Sequence, residues 1–89
     1  MIPPTLYKPF MPLAPMTCAQ LHHLLPFIHS FAPERHDQGG GNLLYCFVDG
    51  LILSVYSRSG RVYFQGPGAA GLTAQEVARR IEAINEGRV

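Results

Sequence analysis

Residues 43–65, LLYCFVDGLILSVYSRSGRVYFQ, constrain this chain more than any other stretch, because short apolar runs broken by turn residues read as an antiparallel β-meander. The dipeptide Asp49-Gly50 suits a two-residue type I′ turn, which sets Val48 opposite Leu51. Alternation then assigns Leu44, Cys46, Val48, Leu51, Leu53 and Val55 to an aliphatic face. Leu43, Tyr45, Phe47, Ile52, Ser54 and Tyr56 fall on an aromatic and polar one. A second hairpin turns through Ser57-Arg58-Ser59-Gly60. With Tyr56 opposite Arg61, Val62 and Phe64 join the aliphatic face, while Arg61, Tyr63 and Gln65 join the aromatic one.

Two helices are expected around these three strands. Thr17 is a candidate N-cap for the first, in which Leu21, Leu24, Leu25, Ile28 and Phe31 recur at helical spacing. Pro26 predicts a kink there or a split into two short helices, and Pro33 ends the element. The second carries a capping box, Thr73-Ala74-Gln75-Glu76, an apolar stripe of Val77, Ile81 and Ile84, and Gly87 as a terminator. Residues 33–42, PERHDQGGGN, read as a polar loop with a flexible triple glycine. They lead into a strand and not into a helix, so they do not form a phosphate loop.

Residues 1–16 hold five of the eight prolines and predict an extended arm. Pro9, Pro12 and Pro15 share the period of polyproline II, the form that SH3 and WW domains bind, but Lys8 is misplaced for such a motif. An apolar strap of Ile2, Leu6, Tyr7, Phe10, Met11 and Leu13, packed on the domain or on a second copy, is the better reading. The expected class is α+β. A Pro-rich arm (residues 1–16) precedes a single domain (residues 17–89), a three-stranded antiparallel meander with both helices on one face.

Charge is sparse and balanced, seven Lys plus Arg against six Asp plus Glu, which excludes a global field attracting nucleic acid or an anionic membrane. No apolar run is long enough to span a bilayer, and the N-terminal prolines interrupt any signal-peptide core, so a cytoplasmic protein is expected. Cys18 and Cys46 are then reduced thiols, with Cys46 a small buried hydrophobe. No metal or other cofactor is expected. Cys18 and His22 stand one helical turn apart, but His29 lies about 10 Å further along an unbroken helix. No catalytic centre is expected either. Neither thiol has a nucleophile signature around it, and Asp49, Glu76, Glu82 and Glu86 fall in a turn, a cap and an exposed helix face.

What remains is the aromatic face. Tyr45, Phe47, Tyr56, Tyr63, Arg61 and Gln65, with Arg58 in the adjoining turn, form the candidate partner-binding set, because aromatic rings and Arg carry much of the energy of protein interfaces. The expected function is binding without catalysis, by a small inhibitor or adaptor that occludes or bridges a protein partner. Chains of this type are similar to the inhibitors carried by phages and mobile elements. Two other readings use the same residues: stacking on nucleic acid, and self-association into a dimer whose second copy, or whose own arm, covers the face.

Residues 50–66, GLILSVYSRSGRVYFQG, also carry Tyr56, Ser59, Gly60, Arg61, Gln65 and Gly66 in the pattern of a strand ending in Tyr, then S-G-[KR]-x-x-x-Q-G, then a helix. This resembles the N-terminal substrate-binding module of ribonuclease HIII, which has the fold of the TATA-box-binding protein. The resemblance implies a curved antiparallel sheet with helices on its convex side. It also implies a concave face that contacts a nucleic-acid duplex, with Tyr45, Tyr56, Arg61, Tyr63 and Gln65 looking outward from it.

Overall fold

The computed structural model describes residues 11–88 as five strands and two helices. In chain order they are β1 (Met16–Thr17), α1 (Leu21–His29), β2 (Glu34–Gly39), β3 (Asn42–Cys46), β4 (Ile52–Tyr56), β5 (Arg61–Gln65) and α2 (Leu72–Asn85). The strands make one sheet in the order β1-β5-β4-β3-β2, antiparallel throughout. The class is α+β, with one strand added at each side of the expected meander.

Both additions correct the sequence reading. The expected loop at residues 33–42 contains β2, whose six residues are all exposed and show no apolar alternation. Backbone pairing to β3 and glycine turn chemistry make this strand. Gly40 and Gly41 have φ of 62° and 84°, the left-handed values that a type I′ turn needs at both central positions. Gly39 closes a bulge after Asp37, whose carboxylate accepts the Gly39 N–H at 2.9 Å. At the other side, Thr17 is no helix cap. It pairs with Arg61 in β1, and α1 begins at Leu21 with no side-chain cap bond from Gln20.

The hairpin between β3 and β4 differs from its expected register by one residue. The Phe47 N–H donates to the Leu51 carbonyl at 2.8 Å, and the Gly50 N–H donates to the Phe47 carbonyl at 3.0 Å. Val48, Asp49 and Gly50 therefore form a three-residue loop, with Gly50 at φ 89° in the left-handed position of that turn. A slip of one inverts every β3 side chain. Tyr45 and Phe47 turn into the core, at 0% and 8% exposure, while Leu44 and Cys46 turn to the opposite face and Val48 projects from the loop. The physical reason is area. Two aromatic rings remove far more apolar surface from water than Leu44, Cys46 and Val48 would. The β4–β5 hairpin keeps the expected register, with Tyr56 opposite Arg61 and Leu53 opposite Phe64.

Leu24 and Ile28 of α1, with Ala74, Val77, Ile81 and Ile84 of α2, bury against Tyr45, Phe47, Leu51, Leu53, Val55, Val62 and Phe64. Both helices thus lie on one side of the sheet, as expected. Pro26 neither splits nor ends α1 at once. It leaves the His22 carbonyl without its helical donor, and the helix closes at His29, where the Ser30 N–H reaches the Pro26 carbonyl at 3.0 Å. In α2 the capping box does not form, because the helix starts at Leu72 and leaves Thr73 inside its first turn. Its C-terminus is as expected. Gly87, at φ 76°, donates to Ile84 at 3.0 Å and Arg88 donates to Ala83 at 2.8 Å, the paired bonds of a Schellman motif.

Of the expected strap, Leu13 packs against the core, its N–H donating to the Ala69 carbonyl at 3.2 Å, whereas Met11 is exposed and does not pack as expected; Met16, in β1, also packs on the core. This places residues 13–17 along the β5 edge. The strap's Ile2, Leu6, Tyr7 and Phe10, and Pro9 of the polyproline spacing, lie outside the described residues. Among the described residues no helix is long and apolar enough to cross a membrane.

Candidate functional site

The sheet face opposite the helices follows from the registers. Three rows cross it: Thr17, Arg61, Tyr56 and Asn42; then Tyr63, Ser54, Leu44 and His36; then Gln65, Ile52, Cys46 and Glu34. None of these residues is buried. Tyr56 and Tyr63 meet edge to face, with ring centres 5.5 Å apart, and the Arg61 guanidinium lies 6.0 Å from the Tyr63 ring. The Ser54 hydroxyl donates to the Gln65 side-chain oxygen at 2.8 Å, which fixes the amide beside the aromatic pair. Leu44, Cys46 and Ile52 give the face an apolar middle. Glu34 and His36, 3.4 Å apart, close its far side.

Four of the residues expected to bind a partner are therefore neighbours here, namely Tyr56, Arg61, Tyr63 and Gln65, and Arg58 stands in the exposed turn at their end. Neither arginine has a carboxylate partner among the described residues. Tyr45 and Phe47 are a correction, because the β3 register places them on the helix-covered face. The Phe47 ring packs edge to face on Phe31 at 5.8 Å. The Tyr45 hydroxyl is hydrogen-bonded to His29 Nε2 at 3.1 Å. Burial pushes the Tyr45 phenol above its ordinary pKa, partly offset by the positive charge of Arg35 across the strand. In their place the face gains Leu44, Cys46, His36 and Glu34. The GGGN run that sets the β2–β3 turn is the sequence signal that could have found the last two.

The thiols also exchange roles. Cys18, expected at a helix start beside His22, precedes α1 and is 3% exposed, whereas Cys46 is half-buried on the open face. Burial raises the Cys18 pKa, against a smaller lowering by a backbone hydrogen bond at Gln20, so its reactive thiolate is disfavoured. Both cysteines are free. Among the described residues no three His, Cys, Asp or Glu side chains converge as metal ligands would. Among the described residues that line it, the groove of Pro67, Ala70, Gly71, Leu72 and Gln75 has no titratable or nucleophilic side chain.

The arrangement offers aromatic area, one guanidinium, hydrogen-bonding groups and an apolar middle on a pleated surface. It suits contact with a surface better than enclosure of a small molecule. No family model matches the chain, and neither a curated protein nor a solved structure does.

Proposed function

We propose that this chain is a non-enzymatic binding protein that holds a protein partner on the open face of its sheet and acts by occluding or bridging that partner. The Tyr56–Tyr63 pair, with Arg61 beside it on the face turned away from α1 and α2, is the observation that carries this reading. Aromatic rings and Arg are the residue types that dominate interface energies, and a pair already packed edge to face loses little side-chain entropy on binding. The middle of the face favours protein over nucleic acid. Leu44, Cys46 and Ile52 occupy the place where a nucleic-acid surface would continue its positive charge, and Glu34 stands at the far corner.

The test is capture from a lysate of the source cell by the immobilised chain, comparing wild type with Tyr56→Ala and Tyr63→Ala. Leu72→Ala, exposed on α2, serves as the control. One protein retained at about 0.5 M salt, lost with either tyrosine and kept with the leucine variant, is the expected result. Retention of nucleic acid that falls steeply with salt and vanishes in an Arg58→Glu/Arg61→Glu chain would overturn it.

A further inference from the structure

Among the described residues the β2 edge of the sheet is bare, and its sequence fits itself. Hydrogen bonding between Phe47 and Leu51 fixes the alternation across β3: residues 47, 45 and 43 direct their backbone groups to β4, while residues 46, 44 and 42 direct theirs to β2. Glu34 and His36, opposite Cys46 and Leu44, therefore spend their backbone groups on β3. The N–H and C=O groups of Arg35 and Asp37 point away from the sheet. All six residues of β2 are exposed.

We propose that two copies of this chain join through this edge, β2 against β2, in antiparallel register about a two-fold axis at His36. A two-fold axis perpendicular to the sheet keeps each side chain on its own face, so only registers that pair residues of the same face are allowed. Placing Arg35 opposite Arg35, or Asp37 opposite Asp37, sets like charges against each other. With His36 opposite its own copy, Arg35 of each chain faces Asp37 of the other, and Glu34 comes beside the bulge at the uncharged Gln38. The Arg35–Asp37 positions are also the ones whose backbone groups are free, so each such pair exchanges both of its backbone bonds.

Charged residues on an edge strand ordinarily prevent pairing. Here they exclude other strands and the wrong registers but admit one. The interface is short, so the dimer is a weak one whose mass depends on concentration. It continues the sheet and sets the two open faces side by side. Because it uses the edge and not the open face, it stands or falls separately from the reading of Tyr56 and Tyr63.

Sedimentation equilibrium on the full chain tests this with two variants, Arg35→Asp and Asp37→Arg. Wild type is expected to associate. Each variant alone is expected to stay monomeric, since it opposes like charges at both pairs. An equimolar mixture of the two is expected to form a mixed dimer, because one chain then carries carboxylates at both positions and the other guanidiniums. Recovery in the mixture also shows that both variants are folded. A wild-type mass of one chain at every concentration up to about 1 mM overturns the proposal. So does a dimer that survives either single reversal, or a mixture that fails to associate.

Discussion

The two edges of the sheet are finished in opposite ways. At the β1 edge the Cys18 N–H donates to the Gly60 carbonyl at 2.8 Å. The Asn85 side chain, from the last turn of α2, bonds both the Ala19 N–H and the Thr17 carbonyl, each at 2.8 Å. The chain before β1 continues the seal through Leu13 and Ala69. At the β2 edge nothing comparable exists among the described residues. Its side-chain hydrogen bonds are local, His36 with Glu34 and Asp37 with Gly39, and Arg35 reaches only the Tyr45 opposite it on β3. One edge is closed by backbone contact and packing, the other protected by charge, so equal substitutions at the two should have unequal costs.

Glycine replacement gives the largest expected difference. A Cβ on Gly60 would overlap the Cys18 carbonyl oxygen, and its φ of 75° is unfavourable for any side chain. Gly60→Ala should cost about 3 kcal/mol in urea unfolding, by backbone strain together with displacement of the β1 segment. Gly40, in the β2–β3 turn, has open space around it and a φ of 62°. Gly40→Ala should cost only about 1 kcal/mol. Equal losses would mean that the β1 edge is no tighter than the other.

Asn85→Ala comes next, at about 1–2 kcal/mol, because two backbone groups lose their partner together. Faster hydrogen exchange at the Ala19 amide would locate the damage. Glu34→Ala at the opposite edge should change stability by less than about 0.5 kcal/mol. If the two variants unfold alike, the Asn85 contacts are not holding the edge.

Tyr45, which lies on β3 just behind the bare edge, gives a smaller effect than Asn85. Its folded pKa is raised by burial, so the stability tied to the neutral phenol is complete below the ordinary value near 10 and is lost as pH rises through the folded value. Tyr45→Phe should lose less than about 1 kcal/mol near neutral pH, from the His29 hydrogen bond, and should flatten the alkaline decline. An unchanged alkaline slope in urea titrations would place that decline elsewhere, such as at Cys18, whose pKa burial also raises.

The two hairpins show what the sequence could reveal. In β5, Arg61, Tyr63 and Gln65 alternate with Val62 and Phe64, so only one register keeps charge out of the core, and Tyr56, Arg61, Tyr63 and Gln65 were legible as neighbours. In β3 both faces are apolar, Leu43, Tyr45 and Phe47 against Leu44 and Cys46, and Asp49-Gly50 serves a two- or a three-residue loop equally well. Nothing local separated the registers. The burial of two large rings decided between them, and Tyr45 and Phe47 left the candidate site as a result.

The edges were harder still to read. β2 has no apolar alternation because it buries no side chain, and β1 is a two-residue strand that exists through its contacts with β5. Asn85 reads as an ordinary helix-end residue. Its partners at Thr17 and Ala19 lie 68 and 66 residues away, beyond the reach of any local pattern. The stripe of Val77, Ile81 and Ile84 was legible, since helical periodicity needs only neighbours along the chain.

Each edge also carries one of the two free cysteines. Cys18 follows β1 and is enclosed by the sealed edge, while Cys46 sits on β3 opposite Glu34, next to the bare one. An alkylating reagent would therefore read the two regions separately on unmodified protein. The Cys46 rate follows whatever comes to lie on the open face or beside β2. The Cys18 rate follows the detachment of β1, so the chemistry of two sulfur atoms distinguishes an occupied surface from an opened fold.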